Sequence, residues 1–189
     1  MITHFSGNEK KIYLTFDDGP TPEITNQVLA FLLKYNAKAT FFCCGKRVQN
    51  NPDLYSKIIE EGHVTGNHGY SHLHGWHTNT ESYIADCHKA SELIKSPFFR
   101  PPYGKLRMSQ YKALKSHFTL YLWTALSWDF HPWVSPQRCL KIALKALKPG
   151  VIIVFHDTPK AADKLLYTLP KILETGIEQG YQFVSIPLE

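Results

Sequence analysis

Asp17 and Asp18 stand side by side in Thr15-Phe16-Asp17-Asp18-Gly19-Pro20, where an apolar run gives way to a turn. Neighbouring carboxylates at the edge of a core are costly unless a positive group, such as a metal ion, sits between or beside them. A turn whose Asp caps the next helix would also account for this hexapeptide taken alone. A second concentration of chemistry lies in residues 66–77, where His68, His72, His74 and His77 fall close together. The i, i+4 spacing of His68 and His72 is that of two imidazoles on one face of a helical turn. With a carboxylate they make a two-His, one-carboxylate site for a divalent metal, with positions open to water and substrate. Gly69 stands where zinc proteases carry a Glu, so a base for hydrolysis must come from elsewhere. His74 and His77 are expected at the surface or behind the ligands.

Two more segments carry candidate groups. Pro101 and Pro102 hold the chain after Phe99-Arg100 extended, which suits presenting Arg100 to a carboxylate and the N–H of Tyr103 to an oxyanion. A structural salt bridge is the alternative for Arg100. Residues 151–155 form a continuous apolar run that ends in His156-Asp157. His156 is a candidate general acid for a leaving amine. Asp129, in Ser127-Trp128-Asp129-Phe130, would pair with it and keep it protonated near neutrality.

The elements that must position these groups alternate regularly. Strand-like runs fall at 12–16, 39–43, 63–66, 98–100, 120–126, 151–155 and 183–186. Helical periodicity occupies 21–35, 51–61, 80–95, 109–115, 135–147 and 161–178, the last interrupted by Pro170. Such alternation implies an α/β fold with a parallel sheet and helices outside, closed as a barrel or open and doubly wound. The 189 residues are few for a regular eight-unit barrel, which typically takes ~250. In either closure function sits at the C-terminal strand ends, and every group named above follows a strand at that end.

Composition narrows the classes. The chain suits one domain and a monomer. No stretch approaches the ~20 apolar residues of a membrane span. The net charge of +5 comes with no Arg-rich run, so Lys141, Lys145 and Lys148 read as a solvated helix face rather than a nucleic-acid patch. Cys43, Cys44, Cys87 and Cys139 contain no CxxC pair, which argues against a structural zinc site. Free thiols without an export signal lean towards the cytoplasm, an exported chain with a trimmed signal being the alternative.

Together these segments resemble the polysaccharide deacetylases of the NodB-homology type, carbohydrate esterase family 4, over nearly the whole chain. The resemblance implies a single-domain, distorted (β/α) barrel of about seven strands. It also implies metal-dependent removal of N-acetyl, less often O-acetyl, groups from sugars. In that pattern Asp17 is the base, while Asp18, His68 and His72 bind the divalent metal, usually Zn2+, with Co2+ or Ni2+ as alternatives. Arg100 orients Asp17, the turn at Pro102 and Tyr103 stabilises the oxyanion, and His156 protonates the amine under the influence of Asp129. Val154 helps form the acetyl-methyl pocket, and Trp128, with Trp76 and Trp133, is a candidate for stacking on sugar rings. Three positions depart from the pattern: Gly69 for Ser or Thr, Phe130 for Trp, and Val154 for Leu.

The implied substrate is an N-acetylglucosamine-containing glycan of chitin-oligomer or peptidoglycan type. Two other readings stay open: a hydrolase of a small amide, imide or formyl-amino sugar, and a non-catalytic glycan-binding module with a relict metal site.

Overall fold

Along residues 11–17 the apolar side chains of Ile12, Leu14 and Phe16 alternate with Tyr13, Thr15 and Asp17, and the fold is organised by where each set points. In the computed structural model, which describes residues 1–7 and 9–188, the first set packs under helices and the second faces the inside of a curled sheet. The elements run β1 (Lys11–Asp17), α1 (Pro22–Lys34), β2 (Thr40–Cys43), α2 (Gly45–Asn50), α3 (Pro52–Glu60), β3 (Val64–Asn67), α4 (Thr80–Ser91) and β4 (Phe98–Phe99). They continue through α5 (Met108–Leu114), β5 (Thr119–Leu120), β6 (Ala125–Leu126), α6 (Pro136–Lys145), β7 (Ile152–His156), α7 (Ala162–Glu178) and β8 (Gln182–Phe183).

All strand pairs are parallel, in the order β5-β4-β3-β2-β1-β7-β6, with β8 beside the start of β1. The α/β fold with a distorted, incompletely closed barrel is therefore as expected. The register places Asp17 opposite His156 on one side and Phe42 on the other, so the catalytic candidates share one end. Inside the barrel Tyr13, Phe42, Phe98, Tyr121 and Ile152 form an apolar plug. Above it on β1 come the Thr15 hydroxyl and then the Asp17 carboxylate. The inward face thus grades from core to chemistry within one strand.

Residues 120–126 read as one strand, yet they split into β5 and β6 at opposite edges of the sheet. The chain between them crosses the open seam, its backbone bonded to β4 at Tyr121 and to β7 at Thr124. The N-terminal residues fill the same seam, Ile2 bridging to Tyr121 and His4 to Val151. The last strand also falls earlier than 183–186. Helix α7 runs through Pro170 without a break, because Leu165, Leu169, Ile172 and Leu173 bury its face and outweigh one missing hydrogen bond. Helix α2 was not expected from the sequence. No helix among the described residues is long and apolar enough to cross a membrane.

Candidate active site

Asp17 ends β1 in extended geometry, whereas Asp18 has φ of 78°, a left-handed turn that breaks the strand's alternation. Both carboxylates consequently serve the same cavity. Asp18 is not a helix cap; Thr21 holds the cap position of α1.

His68 and His72 converge, but not on a helical turn. The segment after β3 is a loop in which Gly69 and His72 have φ of 76° and 56°. Asp86 holds that loop, accepting from the backbone N–H of Tyr70 at 2.8 Å and of Ser71 at 3.1 Å. Gly69 N–H bonds to Asn67 Oδ1 at 2.8 Å. The i, i+4 spacing thus brought the right pair together for the wrong geometric reason.

His68 Nδ1 lies 2.7 Å from the carbonyl oxygen of Arg100. A carbonyl can only accept, so Nδ1 carries a proton, which leaves Nε2 as the position for a metal ligand's lone pair. That Nε2 lies 3.4 Å from Asp18 Oδ1, and His72 Nε2 lies 3.0 Å from the same oxygen. Asp18 Oδ1 is buried with no well-formed hydrogen bond. Burial raises the Asp18 pKa, but hydrogen bonds and charge from His68 and His72, which the rings supply when protonated and a cation would supply in their place, outweigh it and hold the group well below the ordinary carboxylate range. Three donors within 4.8 Å of one another, all electron-pair donors, suit a divalent cation. Their spacing approaches the roughly 3.4 Å edge of a tetrahedron with metal bonds of about 2.1 Å.

Arg100, fully buried at the end of β4, reaches across the barrel. Its Nη1 donates to Asp17 Oδ1 and to Thr15 Oγ1, both at 2.7 Å, and Nη2 donates to the Leu122 carbonyl at 2.8 Å. The guanidinium lies 4.0 Å from the Phe42 ring centroid. Burial lowers its pKa and Asp17 opposes that shift.

His156, on the neighbouring strand β7 and in register with Asp17, pairs with Asp129. Burial works to lower the His156 pKa, but the Asp129 charge and hydrogen bond prevail and raise it to about 9. A cavity of about 470 Å³ is lined by both Asp17 and His156. Asp17, Asp18, His68 and His72 line one side, and Trp123, Leu126, Phe130 and Val154 give the other an apolar character. Tyr103, Thr158 and Lys160 complete the mouth. Such a lining can hold an apolar group beside a polar one.

A family model described as polysaccharide deacetylase matches residues 5–119. The chain belongs to the polysaccharide deacetylase family. It is 39% identical over 189 residues to a peptidoglycan-N-acetylglucosamine deacetylase of Bacillus cereus, a match covering 95% of this chain and 87% of that protein. The crystal structure of a peptidoglycan N-acetylglucosamine deacetylase in complex with an N-oxidanyl-benzamide superposes with a TM-score of 0.92 at 31% identity, covering 98% of this chain and 90% of that one. The peptidoglycan deacetylase PdaC of Bacillus subtilis gives 0.85 at 30% identity, covering 95% and 89%.

Within this deacetylase-family fold the remaining sequence-based candidates divide. Val154 lines the cavity. Pro102 is buried in a 3₁₀ turn (Pro102–Gly104) that holds Tyr103 at φ of 59° on the cavity rim. Trp128 does not line the cavity; it is 44% exposed and packs on Phe130 and His131. Phe130 instead meets the His156 ring edge-on, with centroids 4.9 Å apart. Trp76 and Trp133 are exposed, and His74 and His77 stack on one another beside Tyr103.

Asp157 is the group that sequence reasoning passed over. It is fully buried under the Asp17-Asp18-Gly19 turn and accepts from Thr25 Oγ1. A Cβ on Gly19 would come within 2.1 Å of its Oδ2. Burial raises its pKa to about 7, the Thr25 bond opposing and the Asp18 charge adding to the shift. Asp157 therefore buttresses the turn that aims Asp18. Its adjacency to His156 was the only available signal.

Proposed function

We propose that this chain hydrolyses the N-acetyl amide of N-acetylglucosamine residues in a peptidoglycan-type glycan, with a divalent metal, Zn2+ first among candidates, held by Asp18, His68 and His72. The observation that carries this reading is the pair of separately anchored groups that line one cavity from neighbouring strands: Asp17 held by Arg100, and His156 held by Asp129. When bound, the cation supplies Lewis acidity, polarising the acetyl carbonyl and lowering the pKa of water.

The chain's own residues do the rest. Arg100 occupies Asp17 Oδ1, so Oδ2, 3.9 Å from His68 Nε2, is left to take the proton of the attacking water. The Tyr103 N–H assists the oxyanion. His156, protonated at neutrality, then gives its proton to the departing amine. Val154, Leu126 and Trp123 surround the acetyl methyl and exclude bulk water. The names of the relatives in Bacillus cereus and Bacillus subtilis support a peptidoglycan substrate, and that of the Bacillus cereus relative supports N-acetylglucosamine as the sugar. A relict binding module would be expected to lack an acid, a base or a ligand, and this chain carries a candidate for each.

Acetate release from peptidoglycan and chitin oligomers by the zinc-loaded protein is the test. Asp17→Asn is expected to keep its metal and to lose activity by about 10²-fold or more. Full activity in that variant would overturn the assignment, and no release by the wild type from any glycan would overturn the function.

A further inference from the structure

The first turn of α2 hangs from both loops that bear the metal-site residues. Gly45 N–H donates to the Gly69 carbonyl at 2.9 Å and Lys46 N–H to the Tyr70 carbonyl at 3.0 Å. Just before it, Cys44 N–H donates to the Gly19 carbonyl at 3.0 Å. Lys46 and Arg47 are thereby fixed beside Asp18 and His72. They line a groove of about 410 Å³ that shares Asp18, His72 and Thr158 with the catalytic cavity and extends away from it.

The charge of this groove is one-sided. Lys46 and Arg47 are both exposed, and neither has an ion-pair partner among the described residues. Lys89 adds a third cation, 3.8 Å from the centroid of the Tyr70 ring that forms part of the wall. Asp18 is the single acid in the lining, and its charge is committed to His68 and His72. Asp86 is turned onto the Tyr70 and Ser71 N–H groups instead of the groove. A neutral sugar ring needs hydroxyl and amide partners, which Asn50 and Ser71 supply. Two unpaired cations, one of them a planar guanidinium, suit a carboxylate.

We propose that this groove is a subsite for a carboxylate-bearing neighbour of the sugar that is deacetylated, a proposal that rests on the glycan reading above. Two sources carry that chemistry: the lactyl ether of a muramic-acid-type sugar, and the acidic residues of a peptide attached to it. Lys46 and Arg47 then act as specificity residues, separating an acidic glycan from a neutral one without touching the reacting amide.

The test measures binding by calorimetry to the zinc-loaded wild type and to the Lys46→Gln, Arg47→Gln double variant. Three tetrasaccharides serve as probes: neutral N-acetylglucosamine only, alternating with a free lactyl carboxylate, and alternating with a peptide on the lactyl group. The wild type is expected to bind a carboxylate-bearing probe about tenfold tighter than the neutral one at low salt. That preference should disappear in the double variant and fade at high salt, with neutral binding unchanged. A preference confined to the peptide-bearing probe assigns the carboxylate to the peptide, and one confined to the free lactyl probe assigns it to the sugar. Equal wild-type affinity for all three, or equal losses on all three in the variant, overturns the subsite. Acetate release from the same probes is read separately. Its absence alongside a retained preference defeats the proposed reaction alone, and its presence without preference defeats the subsite alone.

Discussion

Asp129 grips His156 at two points, Oδ1 lying 2.8 Å from Nδ1 and Oδ2 accepting from the His156 backbone N–H at 2.7 Å. The ring cannot turn without breaking the pair, so Nε2 is left for the cavity.

That grip sets a pH dependence. His156 is raised to about 9 from an ordinary 6.5 and must be protonated to act as an acid. Activity should therefore fall as pH rises through about 9. Asp129→Asn removes the charge responsible, so the alkaline limb of kcat/KM should move acidward and the neutral-pH rate drop by about 10²-fold. The pH profile of acetate release checks this, and an unmoved limb would contradict the role given to Asp129. The native state follows the same sign, because a raised folded value stabilises fully below the unfolded value and the benefit is lost through about 9.

Metal removal should be reversible and local. A chelator is expected to abolish acetate release, and added Zn2+ or Co2+ to restore it. Saturating Zn2+ should raise the thermal midpoint of the wild type by mass action. Asp18→Asn and His72→Ala should lose that rise, whereas His77→Ala, exposed and outside the donor set, should keep it. A retained rise in Asp18→Asn would mean that the cation binds elsewhere.

Arg100 links three parts of the barrel through Thr15, Asp17 and Leu122. Arg100→Met strands a buried carboxylate, at a cost of about 3–5 kcal/mol. Adding Asp17→Asn neutralises that carboxylate and should recover part of the loss. Denaturant unfolding of the two singles and the double decides the matter; strictly additive losses would show that the pair is uncoupled.

Gly69 is held at φ of 76°, where a side chain costs about 1–2 kcal/mol. Its Cβ would also come within 3.0 Å of Asp86 Oδ2, the atom that fastens the loop. Gly69→Ala should weaken Zn2+ affinity by more than it lowers global stability. Calorimetric titration set beside thermal unfolding tests this, and wild-type affinity would count against the loop's role in placing His68 and His72.

The sequence by itself determined the layers and their polarity. In β1 the alternation of Ile12, Leu14 and Phe16 with Tyr13, Thr15 and Asp17 is local, because a strand turns successive side chains to opposite faces whatever surrounds it. The rule that parallel α/β sheets keep function at one end then gathered Asp17, His68, Arg100, Asp129 and His156 before any packing was known. Tertiary structure decided everything that depends on a bond between distant segments. Residues 120–126 are apolar but for Thr124, yet they part into two strands because the sheet stops short of closing and each edge offers a separate ladder. Asp18, Gly69 and His72 take left-handed turns in loops braced by Asp157 and Asp86, which come from other segments of the chain. Lys46 and Arg47 carry no motif, and the bonds from Cys44 to Gly19, from Gly45 to Gly69 and from Lys46 to Tyr70 bring them beside the candidate metal-site residues. Asp17 and Asp18 were legible as a reactive pair; that one faces Arg100 and the other two imidazoles is a property of the fold.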